Sequence, residues 1–226
     1  MKPLKQRLKL WEISEILGNK YCKECILSKS KNHILVRNET IRINQSYAPE
    51  KIKLLFVAES PPMAFLEDRS KYFYASGQVK RRGLFYHMMS VLFKEEMKEY
   101  PKYTKEYFLK RFKGKRGFYL IDMVKCPINK LPKKEKRKAI ESCSKYLNKE
   151  LNSLDFQKVI FIGKGTFKKI KKYLNLDFDY AVIPFPRYSK NVQNFRTELT
   201  TFCKLGCQIE NQSKTEVDIG GNRGRY

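Results

Sequence analysis

Apolar positions along the chain follow two periods. Short runs rich in β-branched and aromatic residues read as strands at His33–Val36, Lys53–Ala58, Gly117–Met123, Lys158–Ile162 and Tyr180–Pro184. Between these runs, apolar residues recur at helical spacing. Leu4, Leu8 and Trp11 predict one helix, and Leu84, Met88, Val91 and Leu92 a second. Ala139, Ile140, Cys143, Tyr146, Leu147 and Leu151 predict a third, with Lys and Glu on its other face. Phe167, Ile170 and Leu174 mark a fourth. Strands that alternate with helices predict the α/β class, a three-layer Rossmann-like α/β/α sandwich around a mostly parallel sheet. Such sheets bind ligands outside the carboxyl ends of their strands, so chemistry is expected there.

Composition sharpens this outline. The 226 residues suit one domain, and no internal repeat or low-complexity linker divides them. Residues 1–205 read as that domain. Residues 206–226 read as a flexible tail, with Gly220, Gly221 and Gly224, few apolar residues and three charges of each sign. A hydrophobic share of 42% supports a sizeable core and excludes a wholly disordered polybasic chain. Apolar runs such as Val159–Ile162 are too short to cross a bilayer. The opening MKPLKQRLKLWEIS has no apolar stretch of the secretory type. A cytoplasmic protein is therefore expected, nucleoid-associated in a prokaryotic cell, without structural disulfides. Against 23 acidic residues stand 48 Lys and Arg, a net charge of +25. That excess asks for a polyanionic partner: nucleic acid first, an anionic membrane surface second. A solvated Lys-rich surface is the bland alternative.

Four unusual segments sit at the predicted strand ends. They are Glu59-Ser60-Pro61-Pro62, Asp122-Met123-Val124-Lys125-Cys126-Pro127, Gly163-Lys164-Gly165-Thr166 and Pro184-Phe185-Pro186-Arg187. The Pro pair after Glu59 fixes the backbone and delays any helix. A carboxylate on such a rigid loop is a candidate general base or water-positioning group, against the plainer reading of a cap or surface carboxylate. Asp122 carries the same two readings. Gly163-Lys164-Gly165-Thr166 suits phosphate contact through backbone N–H groups, but lacks the spacing of a nucleotide-binding P-loop.

The six cysteines are Cys22, Cys25, Cys126, Cys143, Cys203 and Cys207. Cys22 and Cys25 form a C-x2-C pair, which lets two thiolates share one ion or one cluster corner. Two more ligands near the same sheet edge would complete a zinc site or a [4Fe–4S] cluster. The plainer reading of Cys126 and Cys143 is a pair of small buried hydrophobes. Cys203 and Cys207 are helix-spaced and read as structural or unligated thiols.

Together these pieces resemble the uracil-DNA glycosylase superfamily, and within it the iron–sulfur (family 4) branch. The C-x2-C loop matches Cys22 and Cys25. The G-E-A/G-P-G loop of the family stands against Ala58-Glu59-Ser60-Pro61-Pro62, and its N-V-V-K-C-R-P-P-x-N-R-x-P segment against Asp122–Pro132. A cysteine about one helix later matches Cys143, a V-I-V-x-L-G strand matches Val159–Gly163, and the closing H-P-S-P loop corresponds to Phe185-Pro186-Arg187-Tyr188. The resemblance covers roughly residues 20–202. It implies that Cys22, Cys25, Cys126 and Cys143 hold a [4Fe–4S] cluster of structural or DNA-binding role, with zinc as the alternative.

Two motifs depart from the family pattern. Asp122 stands where the family has an Asn that recognises uracil. An Asn amide offers a donor and an acceptor, whereas an ionised Asp only accepts. Phe185 stands where the family has a His, and cannot donate to a base carbonyl. Arg187 or Lys190 would have to supply that donor. The Tyr72-Phe73-Tyr74 run falls near the family's base-stacking aromatic, which suggests Phe73.

The resemblance thus implies a monomeric DNA N-glycosylase of base excision repair, a hydrolase. It would bind double- or single-stranded DNA, flip out uracil or a related deaminated base and cleave the glycosidic bond. Glu59 and Asp122 are the catalytic candidates. Ser60, Pro61, Phe73, Phe185, Arg187 and Lys190 are the substrate-binding candidates. Lys130, Lys133, Lys134, Lys164 and Lys168, in their Lys-rich clusters, would grip phosphates. The alternative is a glycosylase-fold protein that binds nucleic acid without the chemistry, holding the cluster or zinc.

Overall fold

A computed structural model describes residues 25–27, 30–79, 81, 83–187 and 189–212. The helix expected around Leu4, Leu8 and Trp11 lies outside the described residues, as do Cys22, Lys80, Arg82, Tyr188 and residues 213–226.

Four strands form the central sheet: β1 (Ile52–Ala58), β2 (Phe118–Asp122), β3 (Phe156–Ile162) and β4 (Tyr180–Ile183). Their order is β2-β1-β3-β4 and all pairings are parallel. Helices flank the sheet, giving the three-layer α/β/α sandwich expected from the alternation of periods. β1 and β3 sit inside the sheet, with neighbours on both edges. Leu55, Phe56 and Val57 of β1 and Phe161 and Ile162 of β3 are fully buried. This explains why these strands read as continuous apolar runs rather than alternating ones.

The parallel register aligns the strand ends. Ala58 pairs with Asp122, and Ile162 with Ile183. The ladder continues past β1 and β2, where Met123 N–H donates to the Ala58 carbonyl at 2.7 Å and Val124 N–H to that of Glu59 at 3.0 Å. All four strands thus deliver their following loops to one edge. Gly117 enters β2 at φ 63°, and a Cβ there would lie 2.9 Å from the Lys51 carbonyl oxygen. Only glycine meets both conditions.

The helices are α1 (Lys31–Ser46), α2 (Leu84–Leu92), α3 (Lys94–Lys98), α4 (Lys105–Lys110), α5 (Lys133–Ser153), α6 (Lys164–Ile170) and α7 (Ser189–Gln212). The predicted stripe of α5 is buried in full: Ala139, Ile140, Cys143, Tyr146, Leu147 and Leu151. α6 carries the stripe of Phe167 and Ile170, followed by a 3-10 turn at Lys171–Tyr173. α7 packs on α2 and β4, burying Phe195 and Leu199. It runs through Gln212, beyond the boundary at residue 206 suggested by composition.

The strand expected at His33–Val36 is instead the first part of α1. The inward face of α1 carries His33, Val36, Arg37, Thr40 and Asn44, at helical spacing but mostly polar. Leu35, an apolar member of the run, is 59% exposed. The local β-branched signal was visible, and the polar buried face hid the helical period.

Candidate functional site

A cavity of about 340 Å³ opens at the carboxyl end of the sheet, within the size range of small-ligand pockets. Ala58 and Ser60 from the β1 loop, Asp122 from the end of β2 and Phe185 beyond β4 contribute to its wall. Tyr72 and Phe73 supply an aromatic side, and Leu84 and Phe85 of α2 an apolar one. The Phe73 ring meets Tyr74, Phe85 and Phe112 edge-on, with centroids 4.9, 5.3 and 5.4 Å away. Such packing holds a ring in one orientation.

Asp122 is 5% exposed. Burial raises its carboxyl from the usual 3.8 to about 7, with Glu150 pushing in the same direction and Lys125 and Tyr72 opposing. Tyr72 places its hydroxyl 3.5 Å from Asp122 Oδ2 while donating its proton to Asn44 Oδ1. Asn44 in turn donates to the Leu120 carbonyl at 3.3 Å. Behind Asp122, Lys125 and Glu150 form an ion pair at 2.5 Å, both nearly buried. A second, much smaller cavity lies among Thr40, Asn44, Tyr72, Asp122, Lys125 and Glu150. Asp122 therefore faces the main cavity on one side and a buried polar cluster on the other.

Glu59 takes a different position. Its carboxylate pairs with Lys136 in the first turn of α5, both side chains about a quarter exposed. Ala58 and Ser60 line the cavity on either side of it, but Glu59 itself is not among the lining residues, so the structure does not bring this expected catalytic carboxylate into the wall. Pro61 is buried beside it, whereas Pro62 joins the lining.

Arg187 and Lys190 are exposed and are not brought into the cavity wall. The Arg187 N–H bonds back to the Phe185 carbonyl at 2.8 Å, a tight turn that carries the chain outward after Phe185. Neither one replaces the missing His inside the cavity.

One lining residue escaped the sequence reading. Lys105 of α4 is 3% exposed, and its ammonium donates to the Ser70 carbonyl at 3.1 Å and the Tyr72 carbonyl at 2.6 Å. It also lies 5.0 Å from the centroid of the Phe85 ring. Burial lowers it from 10.5 to about 8, with Asp68 acting the other way. Nothing in the sequence distinguishes Lys105 from its 47 basic companions; only its pairing with buried carbonyls does.

The basic clusters border this edge. Lys133, Lys134, Arg137 and Lys138 are exposed at the start of α5, and Lys130 just before it, 3.9 Å from Glu67. Positive side chains at the positive end of a helix dipole are locally unfavourable, which fits a surface matched to an anion. α6 begins directly after β3. Its Gly163 has φ 116°, and Lys164 and Lys168 are exposed, Lys164 bonding Glu198 at 2.8 Å.

Cys25, Cys126 and Cys143 are buried, and thiols are donors that suit zinc or an iron–sulfur cluster. Among the described residues, no three His, Cys, Asp or Glu side chains gather in ligand geometry. The expected fourth donor, Cys22, lies outside them. No described helix is long and apolar enough to cross a membrane.

Comparison with curated proteins finds no match. A family model described as the uracil DNA glycosylase superfamily matches residues 45–205, from the end of α1 through the sheet and into α7.

Proposed function

The chain belongs to the uracil DNA glycosylase superfamily, whose members are DNA N-glycosylases, and we propose that it excises a deaminated base, uracil or a relative, from DNA. The observation that carries this reading is the buried carboxyl of Asp122 in an aromatic-walled cavity at the sheet's carboxyl edge. A flipped base needs such a place: apolar faces to sandwich its ring and one polar group to read its edge. Phe73 offers the ring contact and Asp122 the edge contact.

The exposed lysines at the starts of α5 and α6 would hold phosphates. Phosphate contacts position the duplex or single strand without reading sequence. Cleavage of the glycosidic bond develops positive charge on the sugar, which a nearby carboxylate stabilises. Glu59, in the loop that follows β1 and paired with Lys136, would hold the attacking water and that charge. The water adds to the sugar C1′, the bond to the base breaks, and the base leaves with a proton.

The cysteine set Cys22, Cys25, Cys126 and Cys143 is proposed to hold a [4Fe–4S] cluster, as in the family 4 branch. The burial of the three described thiols supports it, and zinc is the alternative. The group would cross-link the segment before α1 to the β2 loop and α5. No catalytic step passes through it.

The test is a glycosylase assay on oligonucleotides carrying uracil, hypoxanthine, hydroxymethyluracil or mismatches, with Glu59→Gln as the control variant. Release of one base by the wild type and its loss in the variant support the reading. DNA binding with every substrate intact would leave a binding protein of glycosylase fold.

A further inference from the structure

We propose that Lys105 and the N-terminus of α2 form an anion-binding pole inside the cavity, which receives the negative charge of the base as its bond to the sugar breaks. This rests on the glycosylase reading and adds to it a catalytic group from α4, an element outside the strand-end loops.

An ammonium withdrawn from water has to replace its hydration with partners. Lys105 is 3% exposed, yet among the described residues it forms no ion pair. Two of its three N–H groups go to the Ser70 and Tyr72 carbonyls, which are neutral. The Phe85 ring, 5.0 Å away, adds only its π face. Asp68 acts on Lys105 through space, while its Oδ1 takes the Ser70 N–H and hydroxyl. The third N–H has no protein acceptor among the described residues, and no contact offsets the charge. Lys105 lines the cavity, so both are left to whatever occupies it. Burial lowers Lys105 only to about 8, which keeps it charged at neutral pH.

α2 adds to this pole. Its N-cap Gly83 and its first two residues, Leu84 and Phe85, line the cavity together with Lys105. Gly83 has no side chain to cap the first-turn amides, and that turn holds no acidic residue. The positive end of the helix dipole thus adjoins the cavity with nothing of its own to offset it. Lys71, the other basic residue of the wall, is exposed and lies 3.9 Å from Glu67. Asp122 is the acidic residue of the wall, and most of the remaining lining is apolar. A fixed charge in such surroundings is weakly screened, which strengthens its pull on an ionised ligand.

Breaking the bond between the sugar C1′ and the base nitrogen leaves the electron pair on the base. The resulting charge spreads onto the ring carbonyl oxygens. A donor already fixed where charge develops stabilises it without reorganising. Lys105 gives its third N–H to one of these oxygens as the bond breaks. Water adds to C1′ and the proton it sheds ends on the base, while Lys105 keeps its own. Phe185 has no proton to give, and Arg187 and Lys190 lie outside the wall. Lys105 is the cation that the cavity holds buried.

The first measurement needs no cleavage. Free uracil and barbiturate, a ring of similar size that is an anion at neutral pH, are titrated into the full chain by calorimetry at neutral pH and constant ionic strength. Barbiturate should bind the wild type about tenfold more tightly, the gain of a hydrogen bond to a charged partner. Lys105→Met should erase that preference. A wild type that does not prefer the anion overturns the proposal whether or not the variant folds, and so does a preference unchanged in Lys105→Met. The second measurement follows single-turnover excision of uracil and of 5-fluorouracil, whose anion is the more stable. Lys105→Met should slow uracil release by about 10²–10³-fold and 5-fluorouracil release clearly less. Equal slowing of both would mean that Lys105 only holds the segment from Ser70 to Tyr72 in place, and overturns the catalytic role. Excision without anion preference removes this inference and keeps the glycosylase. Anion preference without excision of any substrate removes the glycosylase and the leaving-group role with it.

Discussion

Lys125 and Glu150 are joined at 2.5 Å with less than a tenth of either side chain exposed, which links the loop after β2 to the last turns of α5. Removing one partner strands a charge in the interior. Lys125→Met or Glu150→Leu should each cost about 3–5 kcal/mol, while the two together should cost clearly less than their sum. Urea unfolding of the two single variants and the double variant gives the coupling. Additive losses would mean that the pair contributes no mutual stabilisation.

Asp122 makes stability depend on pH. Its folded-state value near 7 lies above the 3.8 of an exposed carboxyl. The folded protein therefore binds more protons than the unfolded chain between about pH 4 and 7, and stability falls as pH rises through that window. Asp122→Asn, of nearly the same shape, removes the buried charge. The variant's advantage over the wild type should grow by on the order of a few kcal/mol between pH 5 and pH 8. Thermal melts at the two values are sufficient; an equal difference at both would exclude burial of the charge as the cause.

DNA affinity should fall with salt. Each phosphate neutralised adds a slope of about −0.9 to the plot of log affinity against log salt. Lys133→Gln, Lys134→Gln and Arg137→Gln, all at exposed positions on α5, should each reduce that slope by about one and weaken all sequences alike. An unchanged slope in the triple variant would place the DNA elsewhere on the surface.

Gly117→Ala should destabilise more than Gly163→Ala. Both glycines have positive φ, but only at Gly117 would the new carbon meet a backbone oxygen, at 2.9 Å. Strain alone costs about 1–3 kcal/mol, and Gly117→Ala adds a steric clash to it. Denaturant midpoints with unchanged slopes would rank them; the reverse order would mean that the segment around Lys51 yields freely.

Protein purified without oxygen should be brown and contain iron and sulfide, and Cys126→Ser should lose the colour and part of its thermal stability. A colourless protein containing zinc would assign the cysteines to the alternative ion. Chelation under mild denaturant should lower the melting temperature in either case.

The sheet was legible because its strands are interior. Leu55, Phe56 and Val57, or Phe161 and Ile162, are apolar for burial on both faces, a signal that needs no partner to interpret. α5 was legible because its stripe from Ala139 to Leu151 faces one apolar layer. α1 was not, because residues such as Thr40 and Asn44 are buried for hydrogen bonding rather than for hydrophobicity. In the candidate site, Asp122 at the end of β2 and Phe185 just past β4 line the cavity as their place in the sequence suggested, whereas Glu59, equally close to a strand end, does not. Tyr72 was noticed only as a neighbour of Phe73, and Lys105 not at all. Their roles depend on contacts across 50 and 33 residues of chain, which no local spacing encodes. Arg187 and Lys190 were the converse case, near the right loop in sequence but turned outward in space.

The inward face of α1 carries one more consequence. Asn44 is at once a core contact of the helix, the acceptor that takes the Tyr72 proton and a donor to the carbonyl of Leu120 in β2. A substitution there is tested twice, once by folding and once by whatever meets Asp122. Drift toward a more hydrophobic, sturdier helix would take away the acceptor that holds the Tyr72 hydroxyl, so this helix is polar on its inner face where its neighbours are apolar.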